Sequence, residues 1–192
     1  TNVLNAAGLY ILLGIGLTLV AMVAVISLFA RLLWLDRFAE LERESLVQNA
    51  TQTRRVIEDE LAGLGSTARD WGHWDDTHRF AADGNQDYIA SNLDPASIAN
   101  LRLNVMLFID ARGRLVHAAG VDLESLAPQA PDPALAARAL DFLNLAQAAP
   151  NREPLTGLVL TPSDPVLLAV VPILDSQSAG PSHGALVIGR TL

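Results

Sequence analysis

The chain has no cysteine and no lysine. All thirteen of its basic residues are arginine, against 21 acidic ones, for a formal net charge of −8. The lack of cysteine excludes disulfides, thiol nucleophiles and thiolate metal sites together. It leaves an exported location open, because a domain of about 150 residues builds a core without cross-links. The arginines are scattered and form no patch able to hold phosphates, so nucleic acid is not an expected partner. Charge of either sign is absent from residues 1–30, where "LYILLGIGLTLVAMVAVISLFA" is apolar almost throughout. Roughly 20 such residues, rising 1.5 Å each, cross a bilayer core of about 30 Å. No water reaches the backbone there, so the segment must be helical. A signal peptide would carry an apolar run of about 7–15 residues ending at a small-x-small site. Here the run is longer, and Leu28 stands where a small residue would be needed. The expectation is a retained anchor over residues 1–35, meeting the membrane through residues 8–35.

Residues 36–69 contain no proline and are rich in Glu, Leu, Arg and Ala, all good helix formers. One stripe runs Leu35, Ala39, Leu46, Ala50, Ile57, Leu61, Leu64, Ala68, with Glu42 and Thr53 as its polar members. Its steps repeat every eleven residues, a period of about 3.67 per turn that suits a nearly straight helix. Two readings fit the stripe. It packs on its own domain as a surface helix, or it forms a stalk that pairs with a second copy through residues 35–68, giving a homodimer.

Beyond residue 70 the pattern changes. "NVMLFIDARGRLVHAAG" predicts two strands around a turn at Asp110–Gly113, with Gly113 free to take positive φ. "DPALAARALDFLNLAQ" predicts a helix with Asp132 as N-cap, Pro133 at its first position, and Leu135, Ala139, Phe142 or Leu143, and Ala146 on its buried face. "TGLVLTPSDPVLLAVVPILD" predicts a second strand pair, and "GALVIGRTL" a last strand. The expected fold is α+β, an antiparallel sheet with its helices on one face. The organisation is anchor 1–35, stalk 36–69 and folded domain 70–192.

The densest chemistry lies in "RDWGHWDDTHRF", residues 69–80, with two of the three tryptophans, three Asp, two His and two Arg. As a metal site it is poor. His73 and His78 are five apart, and only His73 with Asp76, or Asp75 with His78, would share a helical face. Adjacent carboxylates at Asp75 and Asp76 point about 100° apart on a helix and rarely converge as an acid–base pair. No Gly-rich phosphate loop, nucleophile elbow or zinc-protease helix is present. Neither enzymatic activity nor a cofactor is expected. As a fold lock, Trp71 and Trp74 would share one helical face, Phe80 would follow them into the core, and Asp70 would cap or accept backbone N–H groups. As a pocket, Trp74, Asp75 and Asp76 would face a ligand, with Arg79 beside the two carboxylates. Tyr88 and Asn92, four apart in "YIASN", would add two polar groups from one helical face. A cationic or hydroxyl-rich ligand would suit that rim.

"DWGHWDDTHRF", "DYIASNL", "IDARGRLV", "VVPI" and the closing "GALVIGRTL" together resemble the CHASE-type extracellular sensory domain of the fourth kind, over most of residues 36–192. His78 departs from the family pattern, which more often has tyrosine there. The resemblance implies a Cache/PAS-like sensor outside the inner membrane, with a second membrane helix beyond Leu192. It also implies a diguanylate cyclase, phosphodiesterase or histidine kinase output. Trp74, Asp75, Asp76, Arg79, Tyr88 and Asn92 are then the candidate ligand residues, for a small molecule or ion. Asp70, Trp71, Phe80, Gly189 and Arg190 are the candidate structural residues of its motifs. The alternative is a periplasmic protein-interaction or structural module in which the motif only locks the fold.

Overall fold

The computed structural model describes the backbone of residues 2–178 and 180–192, and side chains except those of residues 1–7, 9, 32–50 and 179. The chain divides into two compact units, residues 1–55 and 56–192. Helix α1 is assigned over Asn2–Gly72. Within the first unit, Tyr10–Arg31 is long and apolar enough to cross a membrane, with a mean hydropathy of 2.7 and its side chains unburied. The stripe positions Leu35, Ala39, Glu42, Leu46 and Ala50 lie outside the described side chains.

In the second unit the end of α1 is followed by α2 (Asp75–Asp83), α3 (Gln86–Asn92) and α4 (Pro95–Asn100). The hairpin β1 (Val105–Asp110) and β2 (Leu115–Gly120) comes next. Helices α5 (Pro133–Ala136) and α6 (Ala139–Ala148) then precede β3 (Leu155–Leu160), β4 (Pro165–Pro172) and β5 (Gly184–Thr191). The five strands form one sheet in the order β2-β1-β5-β4-β3, antiparallel throughout. The last strand thus sits at the centre, between the two hairpins. Local chemistry sets the turns and caps. Gly113 takes φ 78° between β1 and β2. The Asp110 carboxylate accepts the backbone N–H groups of Arg112 and Arg114 across that turn. Asp132 caps α5 by accepting from the Ala134 N–H, with Pro133 in the first turn. The helix expected to run on from there is two, α5 and α6, yet Leu135, Ala139, Phe142, Leu143 and Ala146 are all buried as anticipated.

The α+β class with an antiparallel sheet stands. The expectation of helices on one face does not, because the helices cover both. On one face α1, α2, α3 and α4 bring Leu64, Ala68, Phe80, Tyr88 and Ile98 against Met106, Phe108, Leu186 and Ile188. On the other, α5 and α6 bring Leu135, Phe142 and Leu143 against Leu107, Ile109, Leu168 and Val187. The reason lies in the strands. β1 buries five successive residues and β5 six, so both sides of the pleat are apolar and both need cover. The stripe on α1 resolves in the same way. Ile57 and Leu61 pack against the first of these cores, and Leu64 and Ala68 are part of it. From Ile57 onward the stripe is therefore a face on the chain's own sheet, as the surface-helix reading expected.

Candidate functional site

The motif lies where α1 meets α2. Gly72 ends α1, and Trp74 is extended (φ −93°, ψ 133°) at the N-cap of α2. The two tryptophans consequently do not share a helical face, as their spacing of three suggested. They stand on either side of a break, with ring centroids 5.9 Å apart in an edge-on contact at 83°. Gly72 makes the break possible. It is buried against β4, and a Cβ there would come within 2.5 Å of Val171 Cγ1. Its carbonyl accepts the Leu174 N–H at 2.9 Å, so the helix end is satisfied by the chain leaving β4.

From this junction α2 presents three faces. The buried one carries Thr77 and Phe80, both fully excluded from solvent. Phe80 stacks on Tyr88 at 4.4 Å and meets Phe108 edge-on at 5.1 Å. Thr77 Oγ1 and the Tyr88 hydroxyl hydrogen-bond at 2.7 Å, which joins α2 to α3 inside the core. Burial pushes the Tyr88 phenol up to about 12, with the Asp76 charge adding to it against the Thr77 hydrogen bond.

The second face is open. Between α2 and α3 lies a cleft of about 460 Å³ whose walls include Trp74, Asp76, Arg79, Tyr88 and Asn92. Asp83, Asn85, Asp87 and Ser91 complete it. Arg79 pairs with Asp76 one turn away on the exposed surface. Asn85 caps α3 by accepting the Tyr88 N–H at 2.8 Å, while its own side chain donates to Asp83. Asn92 Nδ2 donates to the Tyr88 carbonyl at 3.1 Å. Trp74 remains 39% exposed. Five of the six residues expected at a ligand site are thus neighbours in one cleft. Tyr88 contributes there as a buried wall whose hydroxyl is already engaged.

Asp75 is the sixth and lies elsewhere, on the third face. Its carboxylate accepts the Ser176 N–H at 2.8 Å and the Ser176 hydroxyl at 3.1 Å. Those two bonds, the backbone one first, hold its pKa below the usual carboxylate value. His78, on the same side, stacks on His183 with centroids 3.6 Å apart. Burial lowers the His78 pKa, and the neighbouring His183 adds to that; Asp175 and Asp75 pull the other way. The His183 ring also hydrogen-bonds the His78 carbonyl at 3.2 Å. At the junction itself Ser178 Oγ meets His73 Nδ1 at 3.2 Å. This face fastens α2 to the loop that leads into β5.

The structural candidates divide. Trp71 is half-buried and packs on the core, and Phe80 is at its centre. Asp70 is exposed in the last turn of α1 and is not the N-cap of α2, a place taken by Trp74. Gly189 is required by packing, since a Cβ there would meet Leu168 Cδ2 at 2.5 Å and Val105 Cγ1 at 2.7 Å. Arg190 donates to the Arg102 carbonyl at 2.6 Å and pairs with Glu60 of α1. It ties the central strand to the entering helix. The cleft residues Asp83, Asn85, Asp87 and Ser91 were not singled out from sequence. The signal that could have found Asn85 is its place before a short helix, an N-cap signature. Among the described residues no group of three metal-ligating side chains converges.

The folded unit is an α+β domain, a five-stranded antiparallel sheet covered on both faces with an aromatic–polar cleft between α2 and α3. The chain belongs to the CHASE4 family, whose sequence model matches residues 56–192. It is 30% identical over 169 residues to the methanogenesis regulatory histidine kinase FilI of Methanothrix harundinacea, covering 88% of this chain. The chain spans about a fifth of that relative, 19% of its length. Among solved structures it is similar to a domain of a sensory box/GGDEF family protein from Vibrio parahaemolyticus. That match has a TM-score of 0.56 and 18% identity, and covers 78% of this chain and 59% of the other. It is also similar to the extracellular domain of the histidine kinase vpHK1S-Z8, with a TM-score of 0.57 and 16% identity over 80% and 60% of the two chains.

Proposed function

We propose that this CHASE4 domain senses a small molecule outside the cytoplasm, in the cleft between α2 and α3. In this reading the segment Tyr10–Arg31 anchors it in the inner membrane. A cytoplasmic cyclase, phosphodiesterase or kinase beyond Leu192 receives the signal, and the domain itself catalyses nothing. One observation carries the proposal. Trp74, Asp76, Arg79, Tyr88 and Asn92 wall a single concave surface, with Trp74 left partly open to solvent. Convergent polar groups beside an aromatic wall can fix the orientation of a polar ligand. The anchor 1–35, stalk 36–69 and sensor 70–192 are then one receptor arm, although residues 56–69 already pack with the sensor. Two such arms associate through the stripe before Val56, since the later stripe residues cover the chain's own sheet.

The test is a screen of small metabolites and ions by thermal unfolding of the chain in detergent micelles. A ligand that binds only the folded state raises Tm with its concentration. The expected result is such a shift, lost in Trp74→Ala and Asn92→Ala. No shift from any compound, together with crosslinking to a protein partner, would replace this reading with an interaction module.

A further inference from the structure

We infer that the cleft between α2 and α3 takes a small organic cation, a quaternary or primary ammonium compound. This rests on the cleft being the ligand site, and it adds the ligand's charge. Three carboxylates line the cleft, those of Asp76, Asp83 and Asp87, against the single guanidinium of Arg79. Arg79 is engaged with Asp76. Asp83 receives only amide donors, the N–H and Nδ2 of Asn85. Among the described residues no Arg pairs with Asp87. Among the described residues, the cleft thus holds two carboxylate charges in excess of its one guanidinium.

The aromatic wall is the second, independent observation. The Trp74 ring is held at the edge of Trp71 and tilted against Tyr88 at 6.1 Å, yet it stays 39% exposed on the cleft. An indole and uncompensated carboxylates lining the same cleft can together hold an ammonium group, the ring by cation–π attraction and the carboxylates by charge. Ser91, Asn85 and Asn92 supply neutral polar groups around it, and no aliphatic side chain lines the space. An anion would meet net negative charge here, and a hydrocarbon would find nothing apolar but the aromatic rings. A contrasting cleft near the β3–β4 turn has about 310 Å³ and two carboxylates, Asp132 and Asp164, but no aromatic wall. Its Asp132 caps α5 and accepts from Ser163. The chain's net charge of −8 adds a field that draws cations toward either cleft. Only the first has a surface to hold one.

The experiment titrates the full chain in micelles with choline, tetramethylammonium, ethanolamine and putrescine, reading the Trp74 indole N–H resonance. The neutral isostere 3,3-dimethylbutan-1-ol and the dianion succinate are run beside them. At least one ammonium probe is expected to shift the resonance saturably, with the isostere weaker than choline by about tenfold or more. Asp87→Asn and Asp83→Asn, both at exposed positions, should each weaken that probe severalfold while leaving Tm in place. Equal binding of the isostere, or saturation by succinate instead, would overturn the cation assignment and keep the cleft as a site. Silence from probes of every charge would overturn the site as well.

Discussion

Helix α2 has two solvent-side faces of opposite character, only a few ångströms apart. The cleft face carries Asp76, Arg79 and Asp83, whose contacts stay on α2 or within the turn that follows it. The fastened face carries Asp75 and His78, whose contacts reach more than 100 residues along the chain to Ser176 and His183. One face is open and polar, and the other is committed to the loop entering β5. The difference shows how one short helix presents two kinds of surface. The cleft face keeps local partners, while the fastened face holds backbone far along the chain. The loop that α2 holds leads into β5, the central strand of the sheet.

Substitutions separate the faces from the core beneath them. Phe80→Ala, in the buried stripe common to both, should have the largest effect, about 3–5 kcal/mol lost in urea unfolding. Thr77→Val comes next, because it strands the Tyr88 hydroxyl inside the core at about 1–3 kcal/mol. Pairing it with Tyr88→Phe should recover much of that loss. If the double variant is no better than the single, the Thr77–Tyr88 hydrogen bond is not what joins α2 to α3.

Acid tests the fastened face. His73, His78 and His117 all have folded pKa values below their usual 6.5, and burial is the largest cause for each. Arg69 and Arg152 lower His73 further. In the window just under pH 6.5 the unfolded chain binds more protons than the folded one, so stability falls as pH drops through it. The urea midpoint should therefore be lower at pH 5.5 than at pH 7.5. His78→Gln should reduce that dependence, and an unchanged slope would show that the His78–His183 stack carries none of it.

The smallest effects distinguish the faces most clearly. Asp75→Asn should lower Tm slightly and speed amide exchange at Ser176 without altering ligand binding. Arg79→Ala should change stability by less than about 1 kcal/mol, as an exposed pair does, while changing ligand affinity. Were Asp75→Asn to abolish binding and Arg79→Ala to leave it untouched, the assignment of the two faces would be reversed.

The amino-acid sequence alone determined the elements whose causes are local. The apolar run of residues 8–30, the turn at Gly113, the Asp132 cap and the buried face of α6 follow from spacing and from residue type. Five of the nine cleft residues were legible too, because Asp76 and Arg79 lie on one short helix with Trp74 just before it, and Tyr88 and Asn92 on the next. Tertiary structure decided the rest. It broke the helix between Trp71 and Trp74, because Gly72 lets the backbone approach β4 where any side chain would collide with Val171. It drew Asp75 out of the cleft, because Ser176 offers its carboxylate two hydrogen bonds from 101 residues away. It placed helices on both sides of the sheet, because strands apolar on both faces cannot leave one of them to water.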